Sequence, residues 1–353
     1  MKQTYKLIAS ALCCGLLVFQ SGEIFAGNKD RAGQAGASEL LINPWARSSA
    51  LASSNVASVK GLDAQFLNVA GLAFTKRTEL SFVRTNWLSG SGINLNALGL
   101  AQRIGSSNVL GFGFTSMSFG DIQRTTVDNP GGGIGNFSPR FLTINVSYAK
   151  EFSNSIYGGV NLKVLNESIA NLSATGVALD AGIQYVTGKR KEVHFGISLR
   201  NVGTPMSFSG DGNSLRATLA NGNSITVEQR SARFDLPSSL SIGGAYDFYL
   251  SKEKTDHRIT ASAAFLSNSY TRDGILVGGE YAFKNMFSVR AAYAYENEIT
   301  SDANRTNALT GLCTGASFEL PLNKAGALLG IDYSYRTSNP FSGSHSIGLR
   351  VSL

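Results

Sequence analysis

At 353 residues the chain could form one large domain or two ordinary ones, and its charged fraction of 16% is low beside the about 25% usual for soluble proteins. The net charge of +7 sits partly in turns such as 188–192 (GKRKE) and 251–256 (SKEKTD), with no basic stripe interleaved with aromatics, so nucleic acid is excluded as a partner. Glycine is abundant at 39 residues and proline scarce at 7, and beyond the N-terminus no run approaches the about 18 apolar residues of a membrane helix.

The first 26 residues read as a signal peptide: Lys2 and Lys6 make a basic start, 7–19 is apolar, and Ile24-Phe25-Ala26 supplies a cleavage site. Cys13 and Cys14 fall inside the apolar run, and Leu12 is not the small residue that lipidation at Cys13 needs. Cleavage leaves Cys313 alone, which excludes an intrachain disulfide and zinc ligation by cysteine pairs. An exported chain so poor in cysteine is expected to be held by something else, such as a membrane.

Residues 27–78 form an N-terminal periplasmic or plug segment, rich in small residues, with short helical pieces that Ser38 and Asp63 are placed to cap. From residue 79 to the end, strand-like segments follow one another: 79–87, 93–103, 108–118, 140–151, 155–166, 174–186, 193–202, 238–249, 257–267, 274–283, 287–296, 308–320, 326–336 and 344–353. Most have about 9–13 residues, the length of a tilted strand crossing a bilayer. Many alternate strictly. Val177, Leu179, Ala181, Ile183 and Tyr185 oppose Ala178, Asp180, Gly182 and Gln184, while Ile275, Val277, Tyr281 and Phe283 oppose Leu276, Gly278, Glu280 and Ala282. A period of two demands strands. The first two segments, around Arg84 and Leu98, alternate less cleanly.

Alternate connections are short (104–108, 152–155, 187–192, 250–256, 284–286, 321–326), whereas the other set includes the long ones, 119–139, 203–237 and 297–307. The prolines avoid strand interiors, Pro139 and Pro237 lying just ahead of strands and Pro321 in a turn. Short turns on one side and long loops on the other are the pattern of an outer-membrane barrel. The sequence therefore predicts an all-β membrane protein, a roughly fourteen-stranded antiparallel barrel over 79–353 in the outer membrane, with both termini in the periplasm. Its apolar, aromatic-tipped face meets outer-membrane lipid and its small and charged face lines the lumen.

The inward charges are Asp180, Arg200, Asp247, Arg258, Glu280, Arg290, Asp332 and Arg350. They could line a water-filled pore, satisfy one another, or hold a plug, and a polar lumen argues against a wide greasy conduit. Registering the 274–296 hairpin about Asn285 sets Phe283 opposite Phe287 and Glu280 opposite Arg290, either as a cross-strand ion pair or as two independently solvated residues. Enzyme signals are thin. His194, His257 and His345 lack metal-ligand spacing and read as interface or rim residues, and no Gly-x-Ser-x-Gly elbow occurs. The glycine-rich 129–139 (NPGGGIGNFSP) is followed by a strand rather than the helix a phosphate cradle needs, so it reads as an external loop. No catalytic, metal or cofactor-binding residue is predicted.

Residues 35–74 carry a resemblance. Leu40-Leu41-Ile42, Ala46-Arg47, Ala50-Leu51, Val56-Ala57-Ser58, Gly61, Ala64, and Asn68 with Ala70-Gly71-Leu72-Ala73 resemble the opening of the PorV/PorQ family of Bacteroidetes outer-membrane proteins, relatives of the long-chain fatty-acid transporter barrels. The stretches 118–139 and 174–185 are similar to that family too, and the similarity runs across most of the mature chain. Asn68-Val69-Ala70-Gly71 departs from the family's Asn-Pro-Ala-Gly, and 50–54 from its Ala-Leu-Gly-Gly-Ala, so local turn geometry and exact subfamily are in question. The resemblance implies a non-enzymatic component of type IX secretion. Such a protein engages the large translocon barrel, binds the C-terminal signal domains of cargo and hands them to the surface attachment machinery, with loops 119–139 and 203–237 as the contact sites. An alternative is a channel for hydrophobic small molecules like the fatty-acid transporters, with 28–75 as a hatch. A third is a general porin, in which a plug made by that segment would leave little steady conductance.

Overall fold

The computed structural model describes residues 31, 33–250, 256–284, 286–322 and 326–353. The proposed signal peptide, with Cys13 and Cys14, lies outside these residues, as do parts of three short turns.

In chain order the strands are β1 (Thr78–Trp87), β2 (Ile93–Ile104), β3 (Asn108–Ser118), β4 (Ile122–Gln123), β5 (Asn136–Phe137), β6 (Arg140–Glu151), β7 (Ile156–Ile169), β8 (Leu172–Thr187), β9 (Val193–Gly203), β10 (Ser214–Thr218), β11 (Ser224–Glu228), β12 (Ser239–Tyr249), β13 (His257–Asn268), β14 (Gly274–Phe283), β15 (Phe287–Glu296), β16 (Leu309–Pro321), β17 (Leu328–Ser338) and β18 (Ser344–Ser352). Fourteen of these form a closed antiparallel barrel, while β4–β5 and β10–β11 are two-stranded hairpins within the two longest loops. Closure comes from β1 pairing with β18 across Glu79↔Ser352 to Asn86↔His345, which leaves no free edge in the wall. All fourteen wall strands fall on the segments expected from alternation.

Alternation sets the two faces. Along β8 every second residue from Ala174 to Val186 is buried inward, while Val177, Leu179, Ile183 and Tyr185 stand exposed outward. The same holds around the barrel, from Phe82 on β1 to Ile347 and Leu349 on β18. A belt of exposed Leu, Ile, Val and Phe on this scale is stable only against lipid. The ladder is irregular at two places, between Leu179 and Ala181 on β8 and between Leu309 and Cys313 on β16. At the first, Asn201 of β9 takes a φ of 59°, and its N–H donates to Asp180 Oδ1 at 2.8 Å.

The lumen is filled. Residues 35–75 run down its interior as short helical turns at Ser38–Leu41, Ala46–Ala50, Gly61–Asp63, Ala64–Leu67 and Val69–Phe74. Trp45, Val56, Leu62, Leu67 and Leu72 pack against inward Val83, Ala97, Ala101, Val109, Ala149 and Val186. The capping expectation is corrected here. Neither Ser38 nor Asp63 caps a helix with its side chain; Asn68 does, accepting from Ala70 N. Asp63 is instead committed to Arg47 and Ser48, a stronger claim on an ionised carboxylate than a short helix end.

The first and last described residues lie at opposite ends of the barrel. Leu353 pairs with Thr78 at the short-turn end, as expected. Residues 31 and 33–36 sit at the opposite end among the long loops, where Gly36 N donates to Asp235 O and Arg31 bonds Tyr270. An even strand count fixes only the ends of the barrel, and the inserted segment adds one further crossing of the lumen.

Candidate functional site

The site is the lumen with its inserted segment. The segment follows the wall closely because small residues meet on both sides. A side chain at Gly196 would lie 2.6 Å from the Ala57 backbone, and one at Gly315 would lie 2.5 Å from Ala50 Cβ. Polar groups pin the backbone that has no ladder of its own. Asn68 Nδ2 donates to Val56 O and Ile183 O at 2.9 and 3.1 Å, and Gln184 Nε2 donates to Val56 O and Val59 O at 3.2 and 3.1 Å. The bonds to Val56 O and Val59 O satisfy carbonyls of a segment that has no ladder to pair them.

Six of the eight inward charges join one chain of contacts around the wall. His194 bonds Asp247 at 3.2 Å, and Arg258 reaches Asp247 at 3.7 Å and Glu280 at 2.7 Å. Arg290 Nε donates to Glu280 at 2.7 Å, so the hairpin residues left open above as paired or solvated are paired. Arg290 continues to Ser317, Ser317 donates to Asp332 at 2.5 Å, and Arg350 reaches Asp332 at 3.6 Å and Glu319 at 2.6 Å. Asp180 and Arg200 stand apart from this chain. Asp180 is paired with Lys163 at 2.7 Å, and Arg200 lies over the Phe66 ring at 4.9 Å.

A second ionic group ties the segment to the wall. Arg47 donates to Asp63 at 2.8 Å, Ser48 donates to Asp63 through both N and Oγ, and Arg47 reaches Glu79 of β1 at 3.8 Å. Glu79 in turn accepts from Leu62 N at 3.1 Å. Burial works against the Asp63 charge, but the Arg47 guanidinium and the hydrogen bonds from Arg47 and Ser48 outweigh it and hold the carboxyl below the usual range. These groups and part of the wall chain line a cavity of about 620 Å³ near the short turns, lipped by Lys60, Lys76, Arg190 and Lys191.

The remainder of the lumen differs. The inward faces of β2 and β3 carry Leu95, Ala97, Ala101, Val109 and Met117, and their one charge, Arg103, sits at the short-turn end, where it donates to Ala73 O and Thr75 O of the segment. At the long-loop end Ala37 and Leu40 of the segment pack with Leu165, Ala174, Ala178, Met206 and Leu236, flanked by Phe208 and Phe234. The expectation of a uniformly polar lumen therefore gives way to a two-sided one.

Sequence reasoning missed Arg47, Asp63, Glu79, Lys163, His194 and Glu319. Lys163, His194 and Glu319 have the inward parity of their strands and were legible from it. The contacts of Arg47 and Asp63 depend on the path of the inserted segment, which alternation does not reveal. Of the histidines, His257 and His345 bond the hydroxyls of Tyr281 and Tyr333, whereas His194 is buried in the lumen rather than at a rim.

No family model and no curated protein matches the sequence. Among solved structures the chain is similar to CymD, a monoaromatic hydrocarbon channel, at 12% identity over 88% of this chain and 97% of that one, with a TM-score of 0.52. It is similar to the toluene transporter TodX of Pseudomonas putida at 11% identity over 88% and 97%, with a TM-score of 0.53. A FadL homologue of Pseudomonas aeruginosa matches at 14% identity over 87% and 96%, with a TM-score of 0.50. At these identities the likeness is one of architecture: the chain has the fold of the FadL/TodX-type outer-membrane barrels.

Proposed function

We propose that the chain is an outer-membrane transporter for hydrophobic small molecules, closed in this state by its own residues 35–75. The observation that carries this reading is the apolar lumen wall of β2 and β3, charged only at Arg103 by the short turns, and covered by a segment that no disulfide among the described residues holds there. Displacing the segment would expose a continuous apolar track beside a charged wall, which suits an apolar permeant better than a hydrated solute. The fold shared with hydrocarbon channels supports the same reading. In this proposal the long loops face outward and the short turns face the periplasm. The permeant passes the apolar cluster around Met206 and leaves through the 620 Å³ vestibule.

The test is uptake into vesicles whose outer leaflet is lipopolysaccharide, because plain phospholipid lets hydrophobic molecules cross unaided. Labelled toluene or a labelled fatty acid should enter faster than in protein-free vesicles, while a sugar of similar size should not. Equal rates with and without protein would remove the transport reading.

A second reading is favoured by the PorV/PorQ-like sequence at 35–74 and by the ordered hairpin β10–β11 in the long loop between β9 and β12. Here the barrel serves type IX secretion, its loops meeting the translocon barrel and cargo signal domains. Purification in mild detergent that recovers a very large barrel or such cargo, from a protein inactive in uptake, would establish it instead.

A further inference from the structure

The two ends of the inserted segment are fastened by different chemistry. Near the short turns the fastening is the Arg47–Asp63 ion pair, with Arg47 also reaching Glu79 of β1. Near the long loops it is two acids. Glu39 of the segment and Glu167 of β7 are 9% and 4% exposed, and their carboxyls are hydrogen-bond neighbours. Both oxygens of Glu39 and Oε1 of Glu167 lack a donor. Two carboxylates can bond each other only if one carries a proton, and two like charges so placed resist ionising together.

Among the described residues, the cations of the flanking strands are already engaged. On β7 the neighbouring Lys163 is held by Asp180 of β8 and by Asn201 of β9, each at 2.7 Å. Arg200 of β9 is stacked on Phe66. In the loop before β12, Asp235 accepts from Tyr270 and pairs with Arg31, so it adds a further acid at this end. The walls of β3 and β6 present Thr115, Met117, Thr143 and Asn145.

A second observation shows that this interface is short of donors. Asp180, which can only accept, takes a hydrogen bond from Asn161 Nδ2; Asn161 Oδ1 accepts from Ser147, and Ser147 Oγ accepts from Gln65 Nε2. That sequence of bonds fixes the Gln65 amide and leaves its buried Oε1 bare, on the same cavity of about 30 Å³ that Glu39 lines.

We propose that a proton shared by Glu39 and Glu167 fastens the outer end of the inserted segment, so that the segment is held most firmly in acid and loosens from its long-loop end as the pair ionises. Burial and the Glu167 carboxylate push Glu39 up to about 8. Once detached, Glu39 returns to the ordinary carboxylate range. The hold is therefore full below that range, weakens by up to about tenfold per pH unit as pH rises toward 8, and is constant above it. The Arg47–Asp63 end keeps its charges over this window, so release is directional: the cap of Ala37 and Leu40 over the apolar cluster lifts first. This goes beyond the transport reading and does not depend on what is carried.

Hydrogen exchange tests it, because exchange registers opening even when the open state is rare. The reporters are the amides of Leu40 and Ile42, which donate to Ala37 O and Glu39 O at 3.0 Å. Measured by mass spectrometry on the detergent-solubilised full chain and corrected for intrinsic pH dependence, their protection should fall by up to about tenfold per unit and level off near pH 8. In Glu39→Gln, whose amide can donate to Glu167 at any pH, protection should stay flat. In Glu167→Gln the fall should end at a lower pH. Flat protection in the unaltered chain, or the same fall in Glu39→Gln, would overturn the proposal. Should Glu39→Gln fail to assemble, an unshortened fall in Glu167→Gln would overturn it alone. The measurement uses no permeant, so its failure is distinct from failure of the uptake assay.

Discussion

Replacing Arg47 by alanine should open a channel that the unaltered protein keeps shut. Asp63 is 7% exposed at its side chain and Arg47 20%, so the substitution strands a buried carboxylate. Removing one partner of a buried ion pair costs about 3–5 kcal/mol, and the partial exposure of Arg47 places the expected loss near about 3 kcal/mol. Ser48 still donates to Asp63, and Leu62 N still donates to Glu79, so the segment should loosen at its short-turn end while the barrel stays closed. In planar bilayers the unaltered chain should carry little steady current and Arg47→Ala should carry sustained current. Heat-modifiable gel mobility should report a folded barrel for both. Combining Arg47→Met with Asp63→Asn should recover most of the closed behaviour, because neither position then holds a stranded charge and the new amide oxygen still accepts from Ser48. Sustained current in the double variant equal to that of Arg47→Ala would mean that packing, not charge, closes the lumen.

The barrel was legible because lipid imposes a rule on single strands. Each strand must show apolar groups outward whatever its neighbours do, so the parity of Ile183 against Gln184 is written locally. The pairing of Glu280 with Arg290 was legible for a related reason, since a tight hairpin fixes the register of its two strands. The inserted segment was not. Asn68 bonds carbonyls 12 and 115 residues away, and nothing in its neighbouring sequence encodes those partners. The charges show the same limit. Parity placed Asp180 and Arg200 inward, but the irregular ladder at Asp180 turns Asn201 toward it, and Lys163 takes the partnership that a regular register could have given to Arg200. The weak alternation of the first two segments has two causes: β1 turns Arg84 and Asn86 outward, and the inner face of β2 is largely apolar where it meets the inserted segment.

The proposed transport requires the inserted segment to move, and a tether tests that most directly. Ser54 Oγ on the segment and Ser262 Oγ on β13 lie 2.8 Å apart and are buried. Two cysteines there need only a small approach to reach the about 2.05 Å of a disulfide. In a Cys313→Ala background, Ser54→Cys with Ser262→Cys should take up labelled hydrophobic permeant normally when reduced. When oxidised, with the cross-link confirmed by mass, uptake should fall to the rate of protein-free vesicles and return on reduction. Unchanged uptake through the fully oxidised protein would mean that permeants cross without displacing the segment, and would contradict the account.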